Sequence, residues 1–239
     1  MPRPSLAALL TLLAALAFAA GAFISDPFTG FDPDQFPNPT PPLILQPAGY
    51  AFAIWGVIYA WLIASAVFGL IRRGDDPDWQ AARWPLIVSM AIGAIWIEVA
   101  LASPVWATIL IFAMLAGALM SLVRCPAHET GWLAAPIALY AGWLSAASVV
   151  ATATAVTGWT GLDPAISSWI GLLAVGSLGV AVLQLRPPLS YPLALIWALT
   201  GVLVASAQNP ADLTLFMGAI LGAIGAIALT AWRRRPGTA

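Results

Sequence analysis

Eight apolar segments, each long enough to cross a bilayer as a helix, constrain this chain more than any other feature. A helix needs roughly 18 to 25 apolar residues to span the hydrocarbon core. Proline in the thin joints at Ser103-Pro104 and Asn209-Pro210 ends or opens a helix because it lacks a backbone N–H. We therefore predict an all-α protein, a polytopic membrane helical bundle with about eight transmembrane helices, at about residues 5–24, 47–71, 85–103, 105–123, 132–155, 167–185, 190–207 and 213–232.

The composition agrees with a protein whose main partner is the lipid bilayer. Of the 239 residues, 61% are hydrophobic and 8% are charged, and the mean hydropathy is +0.91. The net charge of −1 and the scattered arginines argue against a nucleic-acid partner. The single cysteine, Cys125, cannot form an intrachain disulfide, and the single histidine, His128, leaves no Cys/His cluster for a metal.

The arginines predict the orientation of the bundle. Short loops that carry arginine tend to stay on the cytoplasmic side of a membrane. With eight crossings and a cytoplasmic N-terminus, every arginine falls on the inner side, and the outer loops carry only acids. We expect both termini in the cytoplasm, with a bacterial inner membrane as the location, and the inner arginines are Arg3, Arg72, Arg73, Arg83, Arg124, Arg186, Arg233, Arg234 and Arg235.

Two N-terminal segments leave alternatives open. Residues 1–25 combine Arg3 with a long apolar run, as a cleavable signal peptide does, but the run is long for one and we expect a retained helix. The outer loop, residues 25–46, is rich in proline and phenylalanine. It is either a lid that folds over the helix ends or a stiff connector whose rings rest among lipid headgroups.

An aromatic face marks the start of the second segment. Phe52, Trp55 and Tyr59 have the spacing i, i+3 and i+7, so their rings share one side of a helix. Pro47 and Tyr50 precede them at the expected water interface. Such a face either holds a flat apolar ligand or packs against the protein itself.

The fifth segment carries a matching face, with Tyr140, Trp143 and Ala147 at the same spacing. Nearby hydroxyl side chains are expected to bond back to carbonyls four residues earlier. Many of the twelve tryptophans fit interfacial belts. Trp55, Trp96 and Trp143 lie deeper and are better candidates for a binding pocket.

Glu98 is the only acid within a predicted span. Burying a carboxylate in hydrocarbon costs several kcal/mol unless it is paired, hydrated or protonated. Glu98 is therefore either a ligand anchor or proton-coupling group, or an acid that reaches the interface. No catalytic set is visible, since His128 lies far from the outer acids, and an enzyme is not the favoured class.

The last segment places Gly218, Gly222 and Ala226 at four-residue spacing. A face of small residues lets two membrane helices approach closely. The partner helix is either in the same chain or in a second copy, and the second alternative is a homodimer.

The sequence at Pro47-x-x-Tyr50-x-Phe52-x-x-Trp55-x-x-x-Tyr59, after Pro41-Pro42, resembles the signature of the TspO/MBR family, the tryptophan-rich sensory proteins related to the mitochondrial translocator protein. Tyr140-x-x-Trp143-x-x-x-Ala147 is a second, partial match, with Ala151 where the family has Asn. The resemblance covers residues 1–160, a TspO-like five-helix membrane core, and leaves residues 161–239 as a three-helix membrane extension.

The resemblance implies a membrane sensor or carrier, often dimeric, that needs no cofactor and binds porphyrins, sterols or similar flat hydrophobic molecules. Its implied ligand, a tetrapyrrole or sterol, would contact Pro47, Tyr50, Phe52, Trp55, Tyr59, Trp96, Glu98, Tyr140, Trp143 and Ala147. Two other classes stay open. One is a proton-coupled secondary transporter that uses Glu98, although no internal repeat is visible, and the other is an assembly subunit of a larger membrane complex.

Overall fold

The protein is a bundle of eight long helices in the computed structural model, which describes residues 5–39, 41–185, 187–208 and 214–233. All eight are long and apolar enough to span a membrane, and the described residues contain no strand. The predicted helical membrane bundle is thus confirmed. The helices are α1 (Leu6–Ile24), α2 (Ile54–Arg72), α3 (Pro77–Ala102), α4 (Pro104–Val123), α5 (Ala135–Thr160), α6 (Pro164–Leu183), α7 (Ser190–Ala207) and α8 (Thr214–Arg233).

The start of α3 was predicted eight residues too late, at 85 instead of Pro77. The Asp76 carboxylate accepts a hydrogen bond from the Asp78 N–H at 3.0 Å, so Asp76 caps the helix, and Pro77 occupies its first turn. This pair is a strong start signal. Pro85 lies inside the helix rather than at its beginning.

The predicted joint at Ser103-Pro104 separates α3 from α4, and the two helices pack against each other as a hairpin. Only Ser103 separates the two helices. Its side chain caps α4 by accepting from the Trp106 N–H at 3.4 Å, and Pro104 opens α4 because the first helical N–H needs no intrahelical partner.

Short irregular turns precede α2 and α5. A 3-10 helix at Gly49–Ala53 leads into α2, and a π-helical turn at Thr130–Ala134 leads into α5. Residues 47–52 therefore lie before the regular helix begins. Phe52 belongs to the 3-10 turn and not to α2.

Helix α5 is the centre of the bundle. Within its membrane-spanning window 83% of the residues are buried, compared with 17% in α8. It contacts α2, α4, α6 and α7. Small residues make this possible, because a Cβ on Gly142 would lie only 2.5 Å from the Tyr191 carbonyl oxygen of α7.

The small-residue face of α8 is not used within the described chain. A Cβ added to Gly218 or Gly222 would meet no atom within 4 Å. The helix instead packs through Phe216, Ile220 and Ile227, which are buried. The predicted close packing of this face thus finds no partner helix among the described residues.

A buried arginine connects α2 and α3 at the end of the bundle that lies away from the loop between α1 and α2. Arg83 is 2% exposed, and its guanidinium donates to the carbonyls of Gly69, Arg73 and Gly74 at 2.9–3.0 Å. These carbonyls lie at and just beyond the end of α2, where helix C-termini leave acceptors unpaired and favour a positive charge. Arg83 therefore ties the start of α3 to the end of α2.

Replacing Gly142 with alanine should destabilise the bundle, because the new Cβ would collide with the α7 backbone at Tyr191. We expect a loss of about 1–3 kcal/mol, visible as a lower midpoint of thermal unfolding in detergent. Gly176→Ala is the control, since a Cβ at Gly176 meets no atom within 4 Å. Equal stability of the two variants would contradict the close α5–α7 contact.

Candidate functional site

A cavity of about 280 Å³ lies beneath the loop that joins α1 to α2. Residues from the loop and from α1 to α7 form its wall, so almost the whole bundle contributes. The lining residues are Phe18, Ala22, Pro27, Phe28, Gly30, Phe31, Leu45, Gln46, Pro47, Phe52, Trp55, Tyr59, Gly93, Trp96, Ile97, Ile111, Met114, Trp143, Ala146, Ala147, Val149, Val150, Ala151, Thr154, Val175, Ala198, Leu199 and Val202.

Most of the residues singled out from the sequence meet at this cavity. Those that line it come from the segment just before α2, from α2 itself, from α3 and from α5, and they are Pro47, Phe52, Trp55, Tyr59, Trp96, Trp143 and Ala147. The aromatic spacing on α2 and the matching spacing on α5 thus describe two walls of one cavity.

Three of the candidate residues lie elsewhere. Tyr50 is 46% exposed and packs edge-on against Trp197 of α7, with ring centroids 5.7 Å apart. Tyr140 is fully buried behind the cavity wall, where its hydroxyl shares a hydrogen bond of 2.9 Å with Ser89. Glu98 is exposed on the outside of α3 and is not among the lining residues.

The aromatic side chains of the wall contact one another. Trp55 stacks on Tyr59 with centroids 5.5 Å apart and planes 15° apart. Trp143 meets Trp55 and Phe52 edge-on, at 6.1 and 5.9 Å. Phe18 of α1 meets the Tyr59 ring edge-on at 5.0 Å. These offset and edge-on arrangements are the favoured geometries of aromatic pairs, so the rings hold each other in place around the cavity.

The outer loop folds down over the cavity. Phe28 packs edge-on against Trp96 with centroids 5.2 Å apart, and Phe31 contacts Phe28 at 5.6 Å. Both phenylalanines line the cavity. Between the two interpretations of this segment, the structure shows the one in which the rings cover the helix ends.

Side-chain amides fasten the loop to the helices. Gln35 donates to the Leu101 carbonyl at 2.7 Å, and Asn38 donates to the Gly158 carbonyl at 3.3 Å. Phe36 packs directly on Gly158, where any side chain would overlap its ring. The cover is thus attached to the C-terminal ends of α3 and α5.

Helix α7 supplies a wall that the sequence patterns missed. Its residues Ala198, Leu199 and Val202 line the cavity. Trp197 also donates to the Ala51 carbonyl at 2.8 Å, which positions the 3-10 turn before α2. Small apolar residues carry no distinctive pattern, so only tertiary packing identifies them.

The cavity is apolar and uncharged. No Asp, Glu, Arg or His side chain belongs to its described lining. Gln46, Trp96 and Thr154 do bring polar atoms, but each donates to a backbone carbonyl, at 2.8–3.1 Å. A cavity of this kind binds through apolar contact, with few polar groups available to orient a ligand.

Charged and thiol groups lie at the other end of the bundle. Arg73 forms an ion pair with Glu129 at 2.8 Å, which links the ends of α2 and α5. Burial raises the pKa of the Cys125 thiol to about 12, so it is uncharged at neutral pH. No group of three metal-ligating side chains occurs among the described residues.

The fold defines a polytopic helical membrane protein, and its helices enclose an aromatic-lined cavity. A model of the TSPO-like protein family matches residues 5–232, and the chain belongs to this family. The match runs through all eight helices, whereas the motifs recognised in the sequence cover residues 1–160. No curated protein and no solved structure matches the chain.

Tyr140→Phe should lower the stability of the protein by about 0.5–1.5 kcal/mol, because it removes the buried hydrogen bond to Ser89. Thermal unfolding in detergent measures the loss. Tyr50→Phe is the matched control, since the Tyr50 ring is half exposed and its loss of a hydroxyl should change nothing. The assignment of Tyr140 to the structural core fails if both variants unfold at the same temperature.

Proposed function

We propose that the protein binds a flat hydrophobic molecule of the tetrapyrrole or sterol type in this cavity and acts as a TspO-like sensor or carrier. The observation that carries the proposal is the set of aromatic side chains around an uncharged space, which come from α1, the outer loop, the start of the second segment, α3 and α5. Planar ligands gain affinity there from apolar burial and from contacts with the ring faces and edges. Membership of the TSPO-like family is consistent with this function.

The size of the cavity bears on which ligand fits. At about 280 Å³ it is near the lower end of the range for small-molecule sites, roughly 300–1,000 Å³. A molecule of a few fused rings fits with little change. A tetrapyrrole macrocycle is larger, so its binding would require the loop residues Phe28 and Phe31 to move outward.

We also propose that the loop that covers the cavity faces the outside of a bacterial inner membrane. The described arginines at or near the opposite end, Arg72, Arg73, Arg83, Arg124 and Arg233, support a cytoplasmic location for that end. Arg3, Arg186, Arg234 and Arg235 lie outside the described residues. A ligand would then reach the cavity from the outer leaflet or from the outer solution.

The transporter hypothesis has less support. It depends on Glu98 as a proton-coupling group, but Glu98 is exposed and outside the cavity lining. A coupling acid is expected to face the bundle interior or a water-filled space that also holds the substrate.

Titration of the purified protein with protoporphyrin and with a fluorescent sterol tests the proposal. We expect saturable quenching of tryptophan fluorescence, or energy transfer to the sterol, for at least one probe. Trp55→Leu should weaken that binding about tenfold or more, because it removes a ring from the wall.

Trp106→Leu is the matched control for this experiment. Trp106 is 61% exposed on α4 and does not line the cavity. The proposal is wrong if neither probe saturates, or if the two leucine variants weaken binding equally.

A further inference from the structure

One tyrosine hydroxyl in the cavity wall has no partner. The Tyr59 side chain is 9% exposed, and it lines the cavity. Within the described part of the chain its hydroxyl makes no hydrogen bond. The hydroxyl keeps some accessible surface, unlike the fully enclosed indole N–H of Trp143. A hydroxyl without a partner in an apolar space is unfavourable, and native proteins rarely leave one so.

The neighbouring tyrosine shows what a satisfied hydroxyl looks like in the same bundle. Tyr140 also packs against Phe18, with centroids 5.4 Å apart, but its hydroxyl bonds to Ser89 at 2.9 Å and it does not line the cavity. The two tyrosines therefore differ in the two properties that a ligand contact requires, which are access to the cavity and a free hydroxyl.

A second unpartnered donor, the Trp143 indole N–H, is fully enclosed by protein and is not open to the cavity. Trp55 touches both residues, since its ring stacks on Tyr59 and meets Trp143 edge-on. The Tyr59 hydroxyl is thus the unpartnered donor that a ligand in the cavity can reach, and it suits a ligand atom that accepts hydrogen bonds.

The described lining carries no charge, so the acceptor atom of the ligand is expected to be neutral. A carboxylate buried beside Tyr59 would have no arginine, lysine or histidine to balance it, and an unpaired buried charge is very unfavourable. A neutral carbonyl oxygen can accept from the Tyr59 hydroxyl without this penalty.

We propose that Tyr59 donates a hydrogen bond to a neutral carbonyl oxygen on the bound ring molecule, so that the cavity selects ring ketones over the parent hydrocarbons and over ring carboxylates. This inference rests on the proposed function and names the polar group of its ligand. A ligand that carries carboxylates can then bind only if its carboxylates stay outside the cavity.

Three small tricyclic probes test the inference by calorimetric titration in one detergent. They are fluorene, which has no acceptor, 9-fluorenone, which has a neutral carbonyl, and fluorene-9-carboxylate. Wild-type protein should bind fluorenone about tenfold more tightly than fluorene, the effect of one hydrogen bond to a buried free donor. The carboxylate should bind more weakly than fluorenone by at least about tenfold.

The variants are compared through the ratio of fluorenone to fluorene affinity, because partition of the probes into detergent cancels in this ratio. Tyr59→Phe removes only the free hydroxyl and should bring the ratio close to one, with fluorene binding retained. Tyr140→Phe removes the partnered hydroxyl and should keep the wild-type ratio. The carbonyl stretch of bound fluorenone should shift to lower frequency in wild type, a readout that needs no variant.

Each other outcome overturns the inference. If fluorene and fluorenone bind wild type equally, or if the ratio survives in Tyr59→Phe, Tyr59 is not the donor. If the ratio falls in Trp143→Phe alone, the indole is the donor instead. In these cases the binding of flat apolar molecules still stands, whereas a failure of all three probes, of the porphyrin and of the sterol overturns both proposals.

Discussion

The close approach of α5 and α7 at Gly142 is the contact on which the rest of the structure depends. Membrane helices gain little from the hydrophobic effect when they associate, so they depend on tight van der Waals packing and on hydrogen bonds. Gly142 lets the Tyr191 backbone lie against α5, and Ser145 shares a hydrogen bond of 3.0 Å with the Tyr191 hydroxyl one turn later. Close packing of this kind lets α5 contact four neighbouring helices, α2, α4, α6 and α7.

The cavity is a consequence of this central position. Because α2, α4, α6 and α7 surround α5, its side chains in the middle of the helix face other helices rather than lipid. Trp143 therefore meets Trp55 edge-on and Ala147 lines the same cavity, instead of contacting acyl chains. The loop supplies the remaining wall, with Phe28 over Trp96. The site thus combines a rigid floor from the bundle with a cover from a segment that has little regular structure.

The sequence predicted the helices and the main aromatic walls because both depend on local spacing. Hydropathy located eight spans, and the i, i+3 and i+7 pattern placed Trp55 and Tyr59 on one side of α2. The start of α3 was misplaced although its signal is local, because Asp76 and Pro77 lie in a polar stretch before the apolar run. Two features required tertiary information. The wall from α7 consists of small apolar residues without a distinctive pattern, and nothing local separates the partnered hydroxyl of Tyr140 from the free one of Tyr59.

The fastening of the loop has a consequence for how the cavity can respond to its surroundings. Gln35 and Asn38 hold the cover through amide-to-carbonyl hydrogen bonds, and Phe36 rests on Gly158 through ring contact alone. Neither kind of contact titrates in the physiological range, and neither is screened by salt as exposed ion pairs are. The cover should therefore be indifferent to acidity and ionic strength. A change of bilayer thickness that tilts α3 or α5 would instead act directly on the contacts that hold it.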